Sequence, residues 1–193
     1  YRPVFRDTPV VVKNLIIINV LMLLATYVLQ RAGTDLTDLL GMHYPGSDKF
    51  RPHQIITHMF MHGGIAHLFF NMFALWMFGR VLESVWGPRR FLVYYFVTGL
   101  GAVALHMFVN HLEISSMQHT LTAFNNTPAP EILDKFVHKY LPRASSQLLD
   151  FITNWYDNPT STAFAAEGQK VMAQIVQLKM DIPTVGASGA VYG

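Results

Sequence analysis

The run Val10–Leu29, VVVKNLIIINVLMLLATYVL, constrains this chain more than any other segment. A helix that crosses the hydrocarbon core of a bilayer needs about 20 predominantly apolar residues, and this nearly unbroken run supplies them. Lys13, near its start, can lay its apolar stem along the helix and keep its ammonium at the interface. A secretory signal peptide has a shorter apolar region, about 7–15 residues, with a small-residue cleavage site behind it. Here the run is longer and no such site follows. The segment therefore reads as a first transmembrane helix. Composition agrees: only 13% of the residues are charged, where water-soluble domains carry about 25%. The net charge of +2 gives no basic footprint for nucleic acid. The absence of cysteine removes disulfides, thiolate metal sites and cysteine catalysis.

The rest of the chain is organised around further apolar stretches. Residues 31–54 hold Gly33, Gly41, Pro45, Gly46 and Pro52 and read as an ordered loop with a short helix at Leu36–Leu40. Ile55–Leu82 is a second long helical stretch, threaded with His58, His62, His67 and Asn71 and interrupted near Gly63-Gly64. Gly87-Pro88 marks a tight turn. Phe91–Leu112 is a third span, with Gly99 and Gly101 as small packing positions. A fourth opens near Val185. Between the third and fourth lies a polar insert, 113–182, with three amphipathic helices separated by turns at Asn125–Pro130 and Asp157–Thr162. Ile132, Phe136 and Tyr140 share one face of the first, and Leu133, Val137 and Leu141 another. Leu148, Leu149, Ile152, Trp155 and Tyr156 line the second. Phe164, Val171, Ile175 and Leu178 line the third less tidily. The insert reads either as a small soluble bundle or as a cap lying on the membrane surface. The expectation is an all-α, polytopic transmembrane bundle: 1–112 three spans, 113–182 an extramembrane helical insert, 183–193 the start of a fourth span. Arg2, Arg6 and Lys13 precede the first span, and Arg80, Arg89 and Arg90 flank the turn between the second and third. Basic residues in short segments stay cytoplasmic, which puts the N-terminus inside and the insert outside.

Three groups of polar residues can carry chemistry. His67 and Asn71 lie four apart on one helical face. Polar side chains inside a span are costly unless paired or functional. As two donors aimed at one point they can stabilise a developing oxyanion; as structural residues they hydrogen-bond neighbouring helices. His58 and His62 have the same spacing, but Met59 follows the first where the zinc-protease pattern H-E-x-x-H requires Glu. No metal site is expected there. Ser188 stands in Gly186-Ala187-Ser188-Gly189-Ala190, which lacks the last glycine of the hydrolase elbow G-x-S-x-G and has no strand before it. Pro183 and Thr184 instead lead into a helix, placing Ser188 in its first turn. Gly186 and Gly189 leave room for a substrate backbone. The competing reading is a small-xxx-small helix contact through Gly189 and Gly193, with Ser188 packed in it.

Together, HGGIAHLFFNMFALWMFGRVLE and GASGAVYG resemble the rhomboid family of intramembrane serine proteases. The carrying features are His62, His67, Asn71, the Gly79/Glu83 G-x-x-x-E element, and then G-x-S-G after another span. The resemblance implies Ser188 as nucleophile, His67 and Asn71 as lining of the oxyanion hole, and His62 as a structural histidine beside them. It implies Gly79 and Glu83 as a packing element at the cytoplasmic end of that helix. Tyr192 matches an aromatic residue that packs against the catalytic histidine. That histidine, the general base, lies on the family's sixth core helix and is expected beyond Gly193; none of the nine histidines here matches it. Two further departures are visible: the family's outer-loop Trp-Arg pair falls at His53-Gln54, and the 113–182 insert is long. The implied activity is hydrolysis of membrane-protein substrates in or near their transmembrane segments, in the cell membrane, with no cofactor, metal or nucleic acid. Two alternatives remain: an inactive relative that binds membrane-protein clients, and a transporter fragment whose half-helix opens at Pro183–Gly186. The order His67, Asn71, Ser188 argues against the second.

Overall fold

The computed structural model describes residues 8–192; Arg2, Arg6 and Gly193, named above, lie outside the described residues. The fold is all-helical, and no β-strand occurs among the described residues. The helices are α1 (Val10–Arg31), α2 (Leu36–Leu40), α3 (Gln54–Thr57), α4 (Ile65–Trp86), α5 (Pro88–Asn126), α6 (Pro130–Tyr140), α7 (Ser146–Asp157), α8 (Thr162–Asp181) and α9 (Ser188–Tyr192). A 3-10 turn at His58–Phe60 continues α3. The chain divides into two compact units, one of residues up to Phe108 together with those from Pro183 on, the other of Val109–Ile182.

In the first unit α1, α4 and α5 are each long and apolar enough to cross a membrane. Their faces are arranged as lipid requires. On α1 the buried residues Val12, Leu15, Asn19, Leu23 and Thr26 recur every three or four positions, while Ile17, Leu21, Leu24 and Val28 are exposed. The polar side chains turn inward, and each donates to its own helix: Asn19 Nδ2 to the Leu15 carbonyl at 2.7 Å and Thr26 Oγ1 to that of Met22 at 2.9 Å. The apolar face left outside is what a hydrocarbon solvent demands.

The second span begins later than its apolar pattern suggests. Extended backbone at Met61 and Gly64 separates α3 and its 3-10 turn from α4. Within α4, Leu75–Gly79 forms a π-helical segment. The Gly79/Glu83 element has a clear physical task. A side chain at Gly79 would meet Val12 at 3.0 Å and Phe91 at 3.1 Å, so glycine lets α1 and α5 close on α4. The buried Glu83 carboxylate then accepts from Val11 N at 2.9 Å and Val12 N at 2.8 Å. Those N–H groups have no partner within their own helix, and an anion there also favours the helix dipole. Glu83 is a cap for α1 supplied from another helix. Gly87, at φ 82, ends α4 by returning its N–H to the Glu83 carbonyl at 2.8 Å, and Pro88 opens α5.

The helix of the third span does not stop at Leu112: α5 is a single helix of 39 residues. At 1.5 Å per residue that is about 58 Å, well beyond the roughly 30 Å of a hydrocarbon core. The sequence turns polar at Glu113, but a change of surroundings does not require a break in the helix. In the second unit, α6, α7 and α8 bury Leu133, Phe136, Val137, Ile152, Trp155, Met172 and Ile175 with Met117 and Phe124 of α5. Ser145 and Ser161 cap α7 and α8 by accepting from Leu148 N and Phe164 N. The unit has a core of its own.

Candidate active site

Ser188 opens α9, a helix whose first bonds run from Ala190 N and Val191 N to the Ala187 carbonyl at 2.9 and 3.1 Å. The approach to it is pinned. Met42 and Thr184 form an antiparallel bridge, Met42 N to Thr184 O at 2.9 Å and Thr184 N to Met42 O at 2.8 Å. Gly186 N donates to the His58 carbonyl at 2.9 Å. Gly186 itself adopts φ 123, a conformation that L side chains rarely reach.

Gly186 is required for a second reason. A Cβ built on it would stand 2.8 Å from His67 Cε1, 2.9 Å from His67 Nε2 and 3.8 Å from Ser188 Oγ. The imidazole edge and the serine hydroxyl therefore face one small space, kept open by the missing side chain. Gly63 N donates to His67 Nδ1 at 3.3 Å. Nδ1 is then the acceptor nitrogen, and the neutral ring carries its proton on Nε2, the nitrogen turned toward Gly186.

His62 lies edge-on to His67, ring centroids 5.2 Å apart. It is 2% exposed, and neither of its ring nitrogens has a partner among the described residues. Burial, with the neighbouring His67 as a second cause, lowers its pKa to about 4. His62 thus packs as a neutral ring against His67. Asn71 is buried and donates Nδ2 to the His67 carbonyl at 2.9 Å, leaving one amide N–H to give and an Oδ1 with no partner. Gly189 faces Ala102 of α5, and Gly99 faces Ala190 and Met59, so small residues set the closeness of α9 to α5. Thr98 adds a hydrogen bond to the Ala190 carbonyl at 3.3 Å. Tyr192 is 63% exposed.

A cavity of about 280 Å³ opens beside Ser188, lined among others by His58, Gly99, Ala102, His106 and Thr184. His67, Gly186 and Ser188 are brought together; His62 supports the first of them; Asn71 attaches to the His67 backbone. His106 of the cavity lining is a histidine within the third span, and its only signal in the sequence is a titratable group in apolar surroundings. The Met42–Thr184 bridge has no signal in the sequence.

The three spans, with polar side chains turned into the bundle, define a polytopic helical membrane protein. Residues 49–118 match the Rhomboid domain family. Over 56 residues the chain is 41% identical to "Rhomboid protease GluP" of Bacillus subtilis (strain 168), covering 28% of this chain and 11% of that relative. Residues 49–118 thus carry a Rhomboid domain, in keeping with the motifs in that stretch, and the chain spans only a small part of that relative's length. The family match contains His62, His67, Asn71, Gly79 and Glu83; Ser188 follows it in the chain.

Proposed function

We propose that this chain is part of an intramembrane serine endopeptidase that cleaves membrane-protein substrates in or near their transmembrane segments. Ser188 Oγ attacks the scissile carbonyl. Its proton passes to a histidine supplied from beyond Gly193, which later returns it to the leaving amine. The carbonyl oxygen, now an anion, is held by His67 Nε2–H and the free N–H of Asn71. Water then attacks the acyl-enzyme and releases the new carboxyl end. The N-terminus and the Arg80–Arg90 turn lie on the cytoplasmic side of the cell membrane and residues 113–182 outside it.

The observation that supports this reading most is the convergence of His67 Nε2 and Ser188 Oγ on the space above Gly186. The relative's printed name, a rhomboid protease, is in keeping with it. The test uses the full-length protein. A fluorophosphonate should label it at Ser188, and Ser188→Ala should abolish both labelling and cleavage of a single-span substrate while the protein remains folded. Equal cleavage by wild type and Ser188→Ala rules out serine catalysis. A folded wild-type protein that binds membrane-protein clients, cuts none and takes no label is instead the inactive client-binding relative.

A further inference from the structure

We propose that Gln54 is a positioning residue for Ser188, acting through the backbone of the first loop; the inference rests on the reading of Ser188 as nucleophile. Gln54 stands where the family pattern has the second member of its Trp-Arg pair. It is fully buried, and its amide is fully used. Oε1 accepts from Arg51 N at 3.0 Å and His43 N at 3.4 Å. Nε2 donates to the Lys49 carbonyl at 3.0 Å and the Leu39 carbonyl at 3.3 Å. A primary amide has two donors and an acceptor with two lone pairs, so every capacity is matched by a backbone group. One side chain thus ties together the end of α2, the segment after it and the turn before α3. Its neighbours reinforce the join: His53 Nε2 and Thr57 Oγ1 engage the Leu39 and Leu40 carbonyls at 3.0 and 2.7 Å.

The tied segments are those that hold the serine. His43, fixed by Gln54, follows Met42, whose N–H and C=O both pair with Thr184. One turn beyond Gln54, the His58 carbonyl takes the Gly186 N–H, and His58 Nδ1 is itself 3.0 Å from the Gln54 carbonyl. Both attachments of the 184–186 segment therefore start beside Gln54. No other side chain of its size offers two donors and two lone pairs without charge. Leucine fills the volume and satisfies none of the four groups. Glutamate keeps the acceptor function but turns an anion toward the Leu39 and Lys49 carbonyls.

Loss of this staple should let Met42 and Thr184 separate and Ser188 drift relative to His67. A displacement of about 1 Å in a catalytic group costs roughly 10²-fold. In the full-length protein, Gln54→Leu should slow fluorophosphonate labelling of Ser188 by about 10- to 100-fold and lower kcat with little change in KM, at a temperature where helicity and monodispersity match wild type. Gln54→Glu keeps the acceptor contacts but sets a buried anion against two carbonyls, and should slow labelling as well. The chain has no cysteine, so Met42→Cys/Thr184→Cys is a clean pair, and paired residues of this kind lie about 5.5 Å apart, within disulfide range. Oxidation of that pair should restore labelling in the Gln54→Leu background, and reduction should remove it again. The rate at which the pair cross-links should itself drop on Gln54→Leu, a readout independent of activity. If wild type takes no label, the nucleophile reading fails while the cross-linking rate still judges Gln54. Folded Gln54→Leu and Gln54→Glu proteins that label and cross-link at wild-type rates overturn the proposal.

Discussion

Replacing Gly186 by alanine tests the site's geometry most directly. Two costs arise, and the structure separates them. The first is backbone strain, because φ 123 is a glycine conformation; holding another residue there costs about 1–3 kcal/mol. The second is steric: the new methyl would lie 2.8 Å from His67 Cε1, whereas carbon atoms rest at about 3.5–4.0 Å. The ring must retreat by roughly 0.7 Å or more, and overpacking of this kind costs about 1–3 kcal/mol. Together these predict a loss of about 2–6 kcal/mol of stability. The retreat also carries Nε2 away from the serine, so labelling of Ser188 by a fluorophosphonate should slow by about 10²-fold. Gly33→Ala is the control. Gly33 has φ 84 but nothing within 4 Å of its added Cβ, so it bears the backbone cost alone and should label normally. Thermal unfolding in detergent and labelling rates would be measured on both variants of the full-length protein. The reasoning fails if Gly186→Ala labels at the wild-type rate, or if Gly33→Ala slows labelling equally.

Two further outcomes are expected. Glu83→Ala leaves the Val11 and Val12 N–H groups without their carboxylate; at about 1–3 kcal/mol for each unsatisfied donor, unfolding in detergent should show a loss of about 2–6 kcal/mol, and an unchanged stability would show that the cap is not needed. For topology, a cysteine introduced at Asn126 of the full-length protein should react with a membrane-impermeant thiol reagent in intact cells, and one at Pro88 should not; the reverse pattern overturns the proposed orientation.

Much of this protein is determined locally and can be read from the chain. The apolar length of Val10–Leu29 commits it to a span, because lipid leaves the backbone no partner but itself. Gly87-Pro88 ends one helix and starts the next because one residue takes a positive φ and the other lacks an N–H. The faces of α6 and α7 follow from the spacing of Leu133, Phe136, Val137, Ile152 and Trp155. The rhomboid motifs, too, are stretches of sequence. Where local signals compete, the reading blurs: the sequence turns polar at Glu113, yet the helix continues, since its hydrogen bonds reach only four residues back. What tertiary structure alone decided are pairings between distant residues. Glu83 caps a helix 71 and 72 positions earlier. Met42 bridges to Thr184, Gln54 staples three separate segments, and Gly186 makes room for His67. No periodicity announces such contacts. They exist because buried N–H, C=O and imidazole groups must find partners or space once the helices have closed around them, and only the closed bundle determines which ones they meet.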